Sequence, residues 1–253
     1  MVAKRSANDA ALVSALGANK GFVSFVGAGG KKTTMYALAR AHPGRVLLSS
    51  TSHMYQYRED EVDKVVILGP GASIPNVDRH RVVALAGETD TPKRVGGIPA
   101  TQIRQAYDNL GFDVCLIKCD GARARWIKSP GPAEPLIPAF ADTVIPVVSA
   151  QVLGRLLRDD IAHRPERLTE LLGLSLGEPI LPQHIVNLLA HPDGALKGVG
   201  TARVIPLINM VDNDALLAEA RAIALAALQR AAKIERVVLA CMKESRVVDV
   251  IER

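Results

Sequence analysis

The feature that most constrains the fold is a series of short apolar runs in which polar residues do not alternate with apolar ones. Strands that are buried on both faces have this pattern, and helical segments between such runs are typical of parallel strands joined by crossover helices. We therefore predict an α/β fold with a mostly parallel sheet. The predicted strands cover residues 21–26, 45–50, 65–68, 81–85, 114–119, 143–148, 203–208 and 236–240.

Helical patterns separate these runs. The predicted helices cover residues 10–16, 31–41, 99–110 and 213–232, with shorter pieces at 165–172 and 182–190. The length of 253 residues allows one large domain or two small ones. We interpret the chain as a single domain, residues 1–253, with a helical insertion or subdomain at about 153–200. Pro146 predicts an edge position or a bulge for its strand.

Composition narrows the class of protein and of partner. Hydrophobic residues make up 48% and charged residues 23%, which excludes a disordered or coiled-coil chain. No apolar stretch approaches the roughly 18 residues of a membrane span, and the basic residues 1–6 lead into no apolar signal region. With three cysteines, a cytoplasmic protein is expected. A net charge of +5 and only 4% aromatic residues favour a small anionic ligand over nucleic acid.

One glycine-rich loop lies between the first long buried strand and a helix. Its residues are Gly27, Ala28, Gly29, Gly30, Lys31, Lys32, Thr33 and Thr34. Glycines allow backbone N–H groups to surround phosphate oxygens, and the following helix presents its positive end there. We predict that Lys31 reaches the terminal phosphates of a nucleotide. The alternative is a glycine-rich turn with a surface lysine.

The loop departs from G-x-x-x-x-G-K-[ST] in two ways. It is shorter by two residues, as in the Mur ligases, and Lys32 stands where a magnesium-binding hydroxyl is expected. Thr33 is the next hydroxyl that can hold Mg²⁺. A dinucleotide-binding G-x-G-x-x-G pattern fails, because Lys32 replaces its third glycine.

Asp120 ends the run 114–119 and precedes Gly121. A carboxylate at the carboxyl end of a strand next to a phosphate loop is typical of a Walker B residue, which binds Mg²⁺ directly or through water. The alternative is an ordinary Asp-Gly turn.

An Asn-x-x-Asp pattern, Asn209 to Asp212, follows another apolar run. It resembles the base-reading motif of GTPases, with Met210 in place of the lysine. The alternative is a helix cap formed by Asp212 or Asn213. The pattern favours GTP as the bound nucleotide, with ATP as the alternative.

Further polar residues follow the ends of strands. His53 closes a run of hydroxyl residues after the second long strand, and is a catalytic candidate beside Lys31 and Asp120. The alternative is a surface histidine in a polar loop. Candidate substrate-binding residues are Arg123, Arg125, Lys128 and Glu134, which could also form a solvated loop. The cysteines are interpreted as buried apolar residues.

Taken in order, the motifs resemble the YqeC-type accessory proteins of selenium-dependent molybdenum hydroxylases. The resemblance extends from about residue 10 onward. The stretches that carry it are 26–31, 49–53, 120–123, 127–130, 134–138, 163–166, 191–194, 196–198 and 209–212.

This resemblance implies a P-loop NTPase-like three-layer fold that binds Mg²⁺ with GTP or ATP, and a role in maturing such a hydroxylase. The implied partners are the apo-hydroxylase or a selenium or molybdenum cofactor species. The chain departs from the family at Lys32, usually Thr or Ser, and at Lys118, usually Glu. We therefore expect good nucleotide binding with slow turnover.

The leading hypothesis is that the protein is a P-loop NTPase or an enzyme of phosphoryl or nucleotidyl transfer. One rival is a nucleotide-gated chaperone or scaffold with little hydrolysis of its own. The other is a Mur-like ATP-dependent ligase or small-molecule kinase.

Overall fold

A computed structural model of the chain describes residues 7–69 and 71–253. The prediction made for residues 1–6 falls outside these ranges. The helices are α1 (Ala7–Ala15), α2 (Lys31–Ala41), α3 (Ala100–Leu110), α4 (Pro165–Leu172), α5 (Pro182–Ala190) and α6 (Asp214–Arg230). The strands are β1 (Gly21–Gly27), β2 (Val46–Ser50), β3 (Met54–Tyr55), β4 (Lys64–Leu68), β5 (Val82–Gly87), β6 (Arg94–Val95), β7 (Val114–Lys118), β8 (Ile127–Lys128), β9 (Thr143–Ser149), β10 (Ala162–His163), β11 (Arg203–Val204), β12 (Leu207–Asn209), β13 (Arg236–Cys241) and β14 (Arg246–Glu252).

One central sheet organises the molecule. Its strand order is β14-β13-β12-β9-β1-β7-β2-β5-β4, with β11 also paired to β9. The neighbouring strands are parallel, except for the antiparallel pair β13 and β14. The predicted α/β class with a mostly parallel sheet is therefore confirmed.

Helices cover both faces of the sheet. Buried side chains of α1 and α2 pack against one face, where they meet Val23 and Phe25 of β1. Those of α3, α4, α5 and α6 share the other face with Phe22 and Val26. Because alternate residues of β1 point to opposite faces, both sides of this strand are apolar and buried. This three-layer arrangement explains the uninterrupted apolar runs in the sequence.

The edge position predicted from Pro146 is wrong, because β9 is an interior strand between β1 and β12. The neighbouring strand is interrupted beside it: β11 ends at Val204 and β12 begins at Leu207, and both pair with β9. A proline cannot donate to the sheet ladder. This break in the adjoining strand accommodates the missing donor without placing β9 at an edge.

The segment between β9 and β11 packs on the face that carries α3 and α6. Leu168 of α4 and Leu188 of α5 are buried in the same core as the sheet residues there. A short parallel pair, β8 with β10, joins this segment to the chain that follows β7. None of the helices within the described ranges is both long and apolar enough to cross a bilayer.

Candidate functional site

The candidate residues meet at the carboxyl ends of neighbouring parallel strands. Gly27 ends β1, Ser149 ends β9 and Asn209 ends β12, while Asp120 lies two residues beyond β7. These strands are adjacent in the sheet and run in the same direction. The fold therefore brings the glycine loop, Asp120 and Asn209 to one edge, which is where ligands bind in open α/β sheets.

The glycine loop joins β1 directly to α2 and approaches its neighbours closely. Gly27 has φ +86° and Gly30 has φ +122°, values that L-residues rarely adopt. A Cβ at Gly27 would lie 2.3 Å from the Val147 carbonyl oxygen, and one at Gly30 would lie 2.3 Å from Asn209 Nδ2. Glycine is therefore required at both positions by conformation and by space.

The backbone donors of the loop fall into two groups. Ala28 N–H donates to the Val147 carbonyl at 2.9 Å, and Gly29 N–H donates to the Arg125 carbonyl at 3.0 Å. The next four donors are the N–H groups of residues 30–33, at the start of α2. Gly30 precedes the helix and provides no side-chain cap. Within the described part of the chain, no acceptor is bonded to the N–H groups of Gly30, Lys31, Lys32 or Thr33. These free donors and the helix dipole favour an anion.

Asp120 is the centre of a buried charge cluster. Its Oδ1 lies 2.9 Å from Lys31 Nζ, and its Oδ2 lies 2.9 Å from Lys128 Nζ. Gly27 N–H donates to Oδ2 at 2.9 Å, and Lys31 Nζ donates to the Gly27 carbonyl. Burial opposes ionisation, but the two ammonium groups hold the pKa of Asp120 below its ordinary value. The carboxylate therefore anchors both Lys31 and the beginning of the loop.

Lys128 extends this cluster to Glu134. Its Nζ lies 2.7 Å from Glu134 Oε2 and donates to the Gly121 carbonyl at 2.6 Å. Arg164 Nη1 lies 2.6 Å from the same Oε2. Burial opposes ionisation of Glu134, but hydrogen bonds from Arg164 and Lys128 lower its pKa to about 2. Sequence reasoning assigned no role to Arg164, which the β8–β10 pairing brings beside Glu134.

Lys118 is also buried near the loop. Its Nζ donates to Ser52 Oγ at 3.0 Å and to the His53 carbonyl at 3.4 Å. Burial, with the charge of Lys31 next in importance, lowers the pKa of Lys118 to about 7. The side chain of His53 itself is exposed, so in this structure its backbone rather than its imidazole contacts Lys118.

Lys32 follows the loop lysine, but its side chain contacts another segment. Its Nζ donates to the carbonyls of Gln56 at 2.7 Å and Tyr55 at 3.2 Å. The ammonium also lies 5.4 Å from the ring centroid of Tyr36 and 5.7 Å from that of Tyr57. Burial lowers the pKa of Lys32 to about 8. The side chain thus joins α2 to residues 55–57, while its backbone N–H stays in the loop.

The other candidates near the loop differ in exposure. Thr33 is exposed, whereas Thr34 is buried and its Oγ1 donates to the Gly30 carbonyl at 3.0 Å. Arg123 is exposed, and Arg125 Nη1 donates to the Asp160 carbonyl at 3.0 Å. Among the three cations that follow Asp120, Lys128 alone contacts the carboxylates of Asp120 and Glu134 in the described cluster.

Asn209, the last residue of β12, contacts the glycine loop. Its Nδ2 donates to the Gly29 carbonyl at 2.7 Å, and its Oδ1 accepts from Met242 N–H at 2.9 Å. Both ends of the amide are therefore satisfied by backbone groups. This buried side chain fixes the loop relative to β12 and β13.

Asp212 remains exposed beyond the same strand. Asn213 caps α6 by accepting from Leu216 N–H at 2.9 Å, so Asp212 is not the residue that accepts this capping bond. The Asp212 carboxylate accepts from Gln151 Nε2 at 2.8 Å and from Cys241 Sγ at 3.1 Å. An ionised carboxylate has about four acceptor positions, which leaves capacity for a ligand.

The comparison with known proteins agrees with the motifs. A family model described as YqeC protein matches residues 23–166, which is more than half of the chain. The chain belongs to the YqeC family. It is 30% identical over 203 residues to "Uncharacterized protein YqeC" of Escherichia coli (strain K12), with 78% of each chain covered. The membership of the YqeC family that the sequence indicated is thus confirmed. The YqeC match includes the glycine loop and Asp120, while Asn209 lies beyond it.

Proposed function

We propose that this protein binds a nucleoside triphosphate through the glycine loop, in the manner of a P-loop protein. The observation that carries the proposal is the junction of β1 and α2. Within the described ranges, the N–H groups of Gly30 and of the first three residues of α2 have no bonded acceptor, and they lie beside the buried ammonium of Lys31. Helix starts of this kind bind phosphate oxygens, and a lysine at the loop stabilises the charge of the terminal phosphates.

The nucleobase of the bound nucleotide would lie towards Asp212. Asn209 holds the loop and begins the Asn-x-x-Asp motif, so phosphates and base would contact opposite ends of one short segment. The exposed carboxylate of Asp212 suits the adjacent N–H donors of guanine. GTP is therefore the favoured nucleotide, with ATP as the alternative.

Mg²⁺ was expected at Thr33 and Asp120. Asp120 does not fit direct coordination in this arrangement, because both of its oxygens contact ammonium groups. The proposed binding mode therefore uses backbone donors and lysines.

The role of the bound nucleotide follows from the resemblance. We propose an accessory function in the maturation of a selenium-dependent molybdenum hydroxylase, with the nucleotide turned over slowly. Hydrolysis that a client hydroxylase accelerates would favour the nucleotide-gated chaperone among the alternatives. ATP-dependent modification of a metabolite without a client would favour the ligase or kinase.

The test is calorimetric titration of the full chain with ATP, GTP and CTP. We expect Lys31→Ala to weaken nucleotide binding at least about tenfold, which corresponds to about 1.4 kcal/mol, because it removes the cation beside the free N–H groups. Lys20→Ala is the matched control, since Lys20 is exposed and lies just before the amino end of β1. Unchanged affinity in Lys31→Ala, or no nucleotide binding by the wild type, would contradict the proposal.

A further inference from the structure

A metal ion bound directly by Asp120 would need a carboxylate oxygen, and both oxygens lie next to cations. Oδ1 lies 2.9 Å from Lys31 Nζ, in an ion pair without a hydrogen bond, and Oδ2 is 2.9 Å from both Lys128 Nζ and Gly27 N. Asp120 is 1% exposed. Mg²⁺ binds carboxylate oxygens at about 2.0–2.1 Å with nearly ideal octahedral geometry. Entry of Mg²⁺ would therefore require the displacement of an ammonium group from a buried position.

Lys128 is held firmly in this position. Its ammonium donates to Glu134 Oε2 at 2.7 Å and to the Gly121 carbonyl at 2.6 Å, and it forms an ion pair with Asp120 Oδ2 at 2.9 Å. The side chain is 0% exposed, and removal of either carboxylate would leave a buried charge poorly compensated. Lys128 therefore lies between the two carboxylates, beside Asp120.

Lys118 lacks a comparable counter-ion. The residue is 7% exposed, and its partners are a hydroxyl and a carbonyl. Among the described residues, no carboxylate oxygen lies within 4 Å of its Nζ. A buried ammonium without an opposite charge is costly. An anionic ligand at the neighbouring loop would supply that charge.

The net formal charge of this cluster equals that of a P-loop site that contains Mg²⁺. The pair Glu134 and Arg164 cancels. When all three are protonated, Lys31, Lys118 and Lys128 with Asp120 leave a net charge of +2. A P-loop lysine, a Walker B aspartate and Mg²⁺ together also carry +2.

We propose that this site binds its triphosphate without a metal ion, with Lys128 in the place that Mg²⁺ takes beside Asp120 and Lys118 as an additional phosphate-neutralising lysine. The inference rests on the proposed function for the identity of the ligand as a nucleotide. It adds that the lysines, rather than a divalent cation, neutralise the phosphates.

The decisive measurement is the Kd of wild-type full chain for GTP and ATP, in excess Mg²⁺ and in EDTA. We expect the two Kd values to agree within about threefold. A Kd that rises about tenfold or more in EDTA, a loss of about 1.4 kcal/mol, would overturn the inference and leave nucleotide binding intact.

Inorganic tripolyphosphate separates the two proposals. If neither nucleotide binds but tripolyphosphate binds equally with Mg²⁺ and with EDTA, the metal-free anion site stands and the nucleotide function fails. If neither nucleotide nor tripolyphosphate binds under either condition, both proposals fail.

A variant tests the lysines themselves. Lys118→Met leaves no carboxylate unpaired, so we expect a folded protein whose affinity falls at least about tenfold in both Mg²⁺ and EDTA. Lys64→Met is the matched control, because Lys64 is exposed at the amino end of β4. An unchanged affinity in Lys118→Met, with an unfolding midpoint like that of the wild type, would remove Lys118 from the site and contradict this part of the proposal.

Discussion

Gly30 has the largest positive φ of the loop glycines. Its φ of +122° and the 2.3 Å approach of Asn209 Nδ2 to an added Cβ leave no space for a side chain. The same Asn209 amide bonds to the Gly29 carbonyl at 2.7 Å. A substitution at Gly30 would therefore disturb both the backbone and the side chain that positions the loop.

We expect Gly30→Ala to lower the free energy of unfolding by about 2 kcal/mol, because alanine is strained at this φ and displaces Asn209. Urea denaturation measures the loss, and titration should show weaker nucleotide binding. Gly121→Ala is the control, since an added Cβ there meets no atom within 4 Å. A change of less than about 0.5 kcal/mol in Gly30→Ala, as for an ordinary surface substitution, would show that the loop adapts.

Sequence patterns found the residues whose signal is local. Gly30 and Lys31 follow a strand and open a helix, and Asp120 ends an apolar run, so neighbours along the chain indicate their positions. The pairing of Arg164 with Glu134 could not be found this way. Arg164 is 30 positions from Glu134, and no spacing rule links two residues that only a remote strand pair brings together.

Among the elements, the β8–β10 pair has a particular role in the charge cluster. Ile127 and Lys128 align with Ala162 and His163, so Arg164 follows directly beside Glu134. This pairing gives Glu134 two cationic partners and accounts for its low pKa. The stability that Glu134 contributes should therefore depend on pH.

We expect Glu134→Gln to reduce the free energy of unfolding near neutral pH by roughly 2 kcal/mol, the scale of a hydrogen bond to a charged group. The pKa of Glu134 falls from 4.5 to about 2 in the folded protein. Its contribution is therefore complete above about 4.5 and is lost as the pH falls towards 2. Urea denaturation across this range should show the wild type and the variant converging.

The exposed Glu170→Gln serves as the control for this experiment, because Glu170 lies on the solvent side of α4. It should have little effect at any pH in the range. A difference between wild type and Glu134→Gln that stays constant from neutral pH to about 2 would show that Glu134 does not stabilise the fold through its charge.

Element boundaries followed the sequence where one apolar run or one helical pattern defined them. Helix α2 spans Lys31–Ala41, as predicted, because Gly30 precedes it and Pro43 follows. The predicted strand 203–208 is divided into β11 and β12 at Ile205 and Pro206. Strand β14 was not predicted, since its central residues are half-buried and charged residues interrupt its apolar ones. It forms the antiparallel edge of the sheet.

At the scale of the whole molecule, the segment between β9 and β11 shares its core with the sheet. Leu168 and Ile185 are almost fully buried within the cluster that contains β1 and β7 side chains. The sequence indicated an insertion here through its glycines and prolines. It could not indicate this packing, which depends on side chains distant in sequence. We infer that the chain unfolds as one unit.

Leu168→Ala tests this cooperativity. The residue is 0% exposed, so we expect a loss of about 2–5 kcal/mol that appears equally in far-ultraviolet circular dichroism and in fluorescence of Trp126, the one tryptophan. An exposed neighbour, Glu166→Ala, should change little. Two separate transitions, with only one displaced by Leu168→Ala, would show that the insertion folds independently.

The bond between Asn209 and the Gly29 carbonyl has a consequence for biosynthesis. The two residues are 180 positions apart, and β1 lies between β7 and β9, which are both made long after it. When the glycine loop has been synthesised, none of the strands that flank β1 in the sheet has yet been translated. The hydrogen bond from Asn209 to the loop can therefore form only after the last quarter of the chain has been synthesised.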